Sequence, residues 1–159
     1  MIIRPATPED IPAILAIWNP IIRDTTVTFT TVEKTPRSLA ADIAARGPAF
    51  LVAERAGVLL GLATCGPFRG GPGYAHSAEH TIILAAAARG QGTGRALMSR
   101  LETVARDADI HALIGGVSGA NPGAIAFHEA LGFARVGHLP QVGRKFGQWL
   151  DLVLVQKIL

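Results

Sequence analysis

The sequence predicts an α/β (α+β) fold, a central mixed, twisted sheet of about six to seven strands flanked by about four helices. Three observations predict it. Short β-branched apolar runs alternate with segments whose apolar residues recur at helical spacing. A glycine-rich stretch, Arg89-Gly90-Gln91-Gly92-Thr93-Gly94, lies between one such run and the longest amphipathic segment. The 159 residues are 49% apolar and 17% charged, enough for one core and too apolar for disorder. A single domain over residues 1–159 is expected.

In chain order, residues 2–6 read as a short strand closed by Pro5. Thr7 then caps a helix with Pro8 at its first position, and Ile11, Ile14, Leu15 and Trp18 form its apolar face until Asn19-Pro20 breaks it. Residues 25–30 are β-branched and read as a small strand or extended loop. Thr35-Pro36 restarts a helix over residues 37–45, stopped by Gly47-Pro48. Residues 50–54 and 58–65 pair about Gly57 as a hairpin. Residues 66–73 are a glycine- and proline-rich surface loop, a kind of segment that often carries binding groups.

Residues 78–84 read as a buried central strand. Over residues 93–106 a helix puts Ala96, Leu97, Leu101 and Val104 on one face and Arg95, Arg100, Glu102 and Arg106 largely on another. Residues 111–117 form a further strand, Asn121-Pro122 opens a helix over 123–131 that ends at Gly132, and residues 134–139 and 149–157 supply the last strands.

Composition narrows the function classes. The longest uncharged apolar run, residues 81–88, is far short of the roughly 20 residues a membrane helix needs. Residues 1–5 lack the basic-then-apolar pattern of a signal peptide, and the lone Cys65 can form no internal disulfide, so a cytoplasmic protein is expected. The net charge is +3 with 15 Lys and Arg spread along the chain, which suits a polyanionic small ligand better than nucleic acid.

The glycine stretch is the sharpest signal. Glycines at alternate positions let a backbone approach a ligand closely, and the unpaired N–H groups of a helix start attract anions such as a pyrophosphate. A dinucleotide fingerprint would sit near the first strand with an acidic residue about 20 positions on, and a Walker loop would close on Gly-Lys-Ser/Thr; neither pattern is present. The plain alternative is a turn that only packs a helix on a sheet.

Arg89-x-x-Gly92-x-Gly94 after a strand, followed by Asn121 and by His128-Glu129-x-x-Gly132-Phe133, resembles the GNAT superfamily of acyl-CoA N-acyltransferases. The order of elements resembles that superfamily over nearly the whole chain. Glu79-His80-Thr81, His128–Phe133 and the run Val142-Gly143-Arg144-Lys145-Phe146-Gly147-Gln148-Trp149-Leu150-Asp151 are similar to its phosphinothricin and methionine sulfone/sulfoximine acetyltransferase branch. The resemblance implies acetyl-CoA as donor, a small amino-acid-like amine as acceptor, and a homodimer, with no nucleic acid, membrane or metal partner.

It also implies roles. Backbone groups of Ile82, Ile83 and Leu84 would pair with the pantetheine arm, Gly90, Gln91, Gly92, Thr93, Gly94 and Arg95 would take the pyrophosphate with help from Arg89, and Asn121 would contact the arm or simply cap its helix. Acetyl transfer needs a neutral amine and a protonated leaving thiolate. Glu79 is the implied base, or an anion that orients the acceptor, and His128 the implied acid, or a structural histidine. Phe29, Arg69, Tyr74, Glu79, His80 and Thr81 are the expected acceptor residues; Trp18 and Phe68 are pocket or core. The branch often carries a second arginine and a Tyr-Arg before its acidic residue, whereas this chain reads Phe68-Arg69-Gly70-Gly71-Pro72-Gly73-Tyr74-Ala75-His76. Run 143–151 would close the site across a twofold axis, or be a plain hairpin. A peptide acetyltransferase and a non-catalytic acyl-CoA sensor are the alternative functions.

Overall fold

The computed structural model describes residues Met1–Leu159. Its strands are β1 (Ile2–Pro5), β2 (Phe50–Arg55), β3 (Val58–Pro67), β4 (Ser77–Leu84), β5 (Ala112–Ser118), β6 (Ala134–Lys145) and β7 (Gln148–Ile158), and its long helices are α1 (Ile11–Asp24), α2 (Pro36–Arg46), α3 (Thr93–Asp107) and α4 (Pro122–Ala130). All seven strands join one sheet in the order β1-β2-β3-β4-β5-β7-β6. Only β4 and β5 run parallel; every other neighbouring pair is antiparallel.

Because strand side chains alternate between faces, each strand feeds two cores. On one face Phe50, Val52, Leu62 and Ile83 pack against Ile14, Trp18 and Ile22 of α1 and Leu39 and Ile43 of α2. On the other, Leu51, Ala53, Ala63, Cys65 and Leu113 pack against Leu97, Met98 and Leu101 of α3 and Ile125 of α4. Trp18 is therefore a core residue, with the Lys34 ammonium 4.7 Å over its ring.

Two elements differ from the sequence expectation, and residues 25–30 take the loop alternative of theirs. Helix α1 does not stop at Asn19-Pro20 but runs through Pro20 to Asp24. Proline removes one hydrogen bond from the helix, yet continuing places Ile22, which is fully buried, in the core beside Trp18. Residues 25–30 form no strand. Their turns are held locally by Thr25 Oγ1, which donates to the Ile21 carbonyl and accepts from Val27 N–H. Strand β6 runs well past residue 139. It bulges between Leu139 and Gly143 at Pro140-Gln141, where Gln141 takes positive φ and its N–H donates to Asp151 Oδ1 at 2.9 Å. Proline is tolerated there because β6 is an edge strand.

Candidate active site

The site begins where two strands part. The parallel pairing of β4 with β5 runs only from Ser77↔Ala112 to His80↔Gly115. Beyond it β4 stays bonded to β3 as far as Leu84 and β5 to β7 as far as Ser118, so a slot opens through the sheet. A cavity of about 290 Å³ occupies it, with Glu79, His80, Thr81, Gly116, Asn121 and His128 on its walls and Phe29 at one side.

The register fixes which backbone groups face the slot. Phe68 N–H bonds the Ser77 carbonyl and Ala85 N–H bonds the Leu60 carbonyl, with no register shift between them. The odd-numbered residues of β4 therefore turn their backbone groups to β3, and the even-numbered ones face β5. Ile82 and Leu84 present N–H and C=O to the slot; Ile83 does not. Of the three residues expected to pair with an extended arm, Ile83 is instead committed to β3 through its backbone and to the α1/α2 core through its side chain.

At the far end of β4 the glycine turn leads into α3, and its glycines are there for different reasons. Gly90 and Gly92 take φ of +72° and +79° with open space around them, so backbone conformation requires them. Gly94 is different. A Cβ there would lie 3.1 Å from the Phe127 ring, so it is small in order to pack α3 on α4. None of the six N–H groups from Gly90 to Arg95 meets an acceptor in the chain, and Gly92 forms the N-cap of α3. Successive unpaired N–H groups at a helix start make an anion-binding nest. Gln91 stabilises the turn: its amide donates to the Ala87 carbonyl and accepts from Arg55. Thr93 is fully buried and its hydroxyl has no partner. Arg89 and Arg95 are exposed and unpaired, free to meet an anion.

Successive residues Glu79 and His80 point to opposite faces of the sheet, and both border the slot. Two glycines of β5 receive them. A Cβ on Gly115 would fall 2.6 Å from His80 Cε1, and one on Gly116 would fall 3.3 Å from Glu79 Oε1. The Glu79 carboxylate is exposed and makes no ion pair, on the side shared with Thr81 and the 27–29 segment. That segment is clamped by the tip of β6. Lys145, 2% exposed, donates to the Thr28 carbonyl at 2.8 Å, and a Cβ on Gly143 would collide with the Phe29 ring. Burial holds the Lys145 ammonium below its ordinary value. Gly143 and Lys145 of run 143–151 thus pack on the 27–29 segment of the same chain.

On the opposite face, His80 and His128 are buried and face each other, Nε2 to Nε2 at 2.8 Å. His80 Nδ1 lies 2.8 Å from the Ile114 carbonyl and His128 Nδ1 lies 2.7 Å from the Ala124 carbonyl. Burial, and then repulsion from His128, push His80 down to about 3; burial also lowers His128. Both ring nitrogens of His128 are thus engaged. Asn121 Oδ1 caps α4 by accepting from Ala124 N–H at 3.2 Å, which leaves its amide N–H groups free at the cavity wall.

Arg69 and Tyr74 are not brought to this cavity. They are exposed in the 68–76 loop, where Arg69 lies 5.4 Å over Phe68 and Tyr74 meets Phe68 edge-on at 6.2 Å. Phe68 is likewise off the cavity wall. Sequence reasoning missed Gly115, Gly116 and Thr28, and it placed Gly143 and Lys145 in a closing run without their contacts to Phe29 and Thr28. The glycine doublet inside a strand was a readable signal, because glycine in a strand marks close approach of another group. Nothing local marks Thr28 or its contact, because its partner Lys145 lies more than 100 positions away.

A parallel strand pair splayed open beside a nest of free N–H groups, with a carboxylate on the slot, is the architecture of an acyl-CoA-using transferase. The chain belongs to the Acetyltransferase (GNAT) family, whose profile matches residues 17–133. It is 36% identical over 158 residues to the L-methionine sulfoximine/L-methionine sulfone acetyltransferase of Pseudomonas aeruginosa, covering 97% of this chain and 92% of that protein. A ribosomal-protein-alanine N-acetyltransferase structure from Brucella melitensis superposes with TM-score 0.95 at 41% identity, over 100% of both chains. The structure of yncA, a putative acetyltransferase from Salmonella typhimurium with its cofactor acetyl-CoA, superposes with TM-score 0.94 at 35% identity, over 99% of this chain and 93% of that one.

Proposed function

We propose that residues 1–159 form one catalytic domain that moves the acetyl group of acetyl-CoA to the amino group of a small amino-acid-like acceptor, of the methionine sulfone, methionine sulfoximine or phosphinothricin type, by direct transfer in a ternary complex. The observation that carries this reading is the slot between β4 and β5, which joins a donor channel to the Glu79 carboxylate. In it Ile82 and Leu84 add the pantetheine arm as an extra strand, Asn121 meets the arm through its free amide, and the turn from Gly90 to Arg95 with Arg89 takes the pyrophosphate. Glu79 accepts the amine proton, directly or through water, while Phe29, Thr81 and Val27 wall the acceptor. His128, on the wall of the same cavity, is the proposed acid for the leaving thiolate. Calorimetry with acetyl-CoA, followed by thiol release with a panel of these amines and common amino acids, tests it; absence of acetyl-CoA binding overturns it.

A second reading, acetylation of a peptide N-terminus, is favoured by the likeness to the Brucella melitensis structure. The clamp of Lys145 and Gly143 on the 27–29 segment narrows the acceptor side and favours the small amine. Alanine-initiated peptides in the same thiol assay separate the two. We also infer a cytoplasmic homodimer. Val136, Leu139 and Val142 on β6, Phe146 in the turn after it and Trp149 on β7 are exposed apolar residues that a second copy would cover. Light scattering at micromolar concentration reads the mass.

A further inference from the structure

The two buried histidines of the cavity wall carry a proton-counting argument. Their four ring nitrogens make three contacts in a line: Ile114 carbonyl to His80 Nδ1, His80 Nε2 to His128 Nε2, and His128 Nδ1 to Ala124 carbonyl, at 2.8, 2.8 and 2.7 Å. A carbonyl only accepts, so each Nδ1 must carry a proton. The central contact needs one more. Two neutral imidazoles hold only two protons, which leaves either two lone pairs facing at the centre or a lone pair facing a carbonyl at one end. Such a clash between buried groups is costly.

We propose that His80 and His128 act as one proton-binding unit that holds three protons on four nitrogens, so that a single positive charge sits in the cavity wall and His80 serves as the positioning residue that keeps a proton on the face of His128 toward it. A fourth proton is excluded, because it would put two charges 2.8 Å apart in a buried site. The third proton is favoured by three completed hydrogen bonds and opposed by burial alone.

The surroundings do not supply a competing charge. Cys65 lies opposite His80 across β3 and β4 on the same face, and burial holds its thiol up and neutral. Phe133 and Phe127 pack against the rings. Lys157, 5.8 Å from the Phe133 ring, is tied to Glu102, and Glu129 of α4 is tied to Arg135. Glu79 follows the opposite face of the sheet, and its Oε1 lies by Gly116 rather than by either imidazole.

The unit's value to the reaction rests on the proposed acetyl transfer: a fixed positive charge beside the slot stabilises the negative charge that develops on the sulfur as the thioester breaks. The proton count does not rest on it, and so it is measured first. In the ligand-free protein with 15N-labelled histidine, the pair should show three protonated ring nitrogens at about pH 6, with one proton in the central contact. Two protonated nitrogens from about pH 5 to 9 overturn the proposal, whatever the enzyme's activity. Kinetics then separates positioning from bulk. His80→Phe fills the space without an acceptor and should lower kcat about tenfold or more, with the KM for acetyl-CoA changed less than about threefold and the alkaline limb of the kcat profile lost. His80→Gln keeps an acceptor where Nε2 lies and should retain most of the turnover. Equal losses in both variants, with the alkaline limb intact, assign His80 to packing alone and contradict the positioning role.

Discussion

The two halves of the slot are built from different materials. The half proposed to hold the donor is almost entirely backbone: six unpaired N–H groups from Gly90 to Arg95, and the strand edge at Ile82 and Leu84. The half proposed to hold the acceptor is side chains held by distant segments: Glu79 against Gly116, Phe29 against Gly143, and the 27–29 segment tied to Lys145. A backbone site depends on fold and glycine placement and tolerates many side chains. A side-chain site changes with single substitutions. The contrast explains how one family keeps one donor while its relatives act on different amines.

The sharpest way to break the contrast is to remove chemistry from the acceptor half while leaving the donor half whole. Glu79→Gln should lower kcat by about 10² to 10⁴-fold at neutral pH, the range expected for loss of a general base, with acetyl-CoA affinity unchanged by calorimetry. Unchanged turnover removes Glu79 from the base role. The converse variant attacks the donor half. Gly92→Val forces a β-branched residue to φ +79° and should raise the KM for acetyl-CoA about tenfold, with the acceptor KM held.

Smaller effects sharpen the boundary. Lys145→Met removes the hydrogen bond to Thr28 and keeps the apolar stem, so the acceptor KM should rise several-fold while that of acetyl-CoA stays put. A rise in both would mean that the clamp supports the whole slot. The smallest kinetic effect belongs to Asp10, remote from either half. Arg4 hydrogen-bonds its carboxylate at 2.7 and 2.8 Å and holds it below the ordinary 3.8. Its folded value is depressed, so its stabilisation is complete above 3.8 and lost as pH falls through the lower folded value. Asp10→Asn should cost about 1–3 kcal/mol at pH 7, less in strong acid, with kcat intact. Denaturant midpoints at the two pH values measure it.

Much of the donor half was legible in the sequence because it is local. The glycine spacing, the preceding apolar strand and the amphipathic helix lie within residues 78–107, and their positions follow from period and turn chemistry alone. The parity that excludes Ile83 was not, because it depends on the register of β4 against β3, which no local pattern states. Pro20 was read as a breaker by its intrinsic cost, and the burial of Ile22 overrode that cost. The acceptor half was least legible. Arg69 and Tyr74 carry the recognisable chemistry yet stand away from the cavity, whereas Lys145 reaches Thr28 across 117 residues. Only the folded sheet brings such residues together.

The most direct test of the central claim is thiol release from acetyl-CoA in the presence of methionine sulfone, methionine sulfoximine, phosphinothricin and common amino acids, for the native protein and for Glu79→Gln side by side. Rapid thiol release with at least one of these amines, nearly abolished in the variant although it still binds acetyl-CoA, is the predicted result. Binding of acetyl-CoA with no thiol released to any amine, or equal release by both proteins, would contradict it.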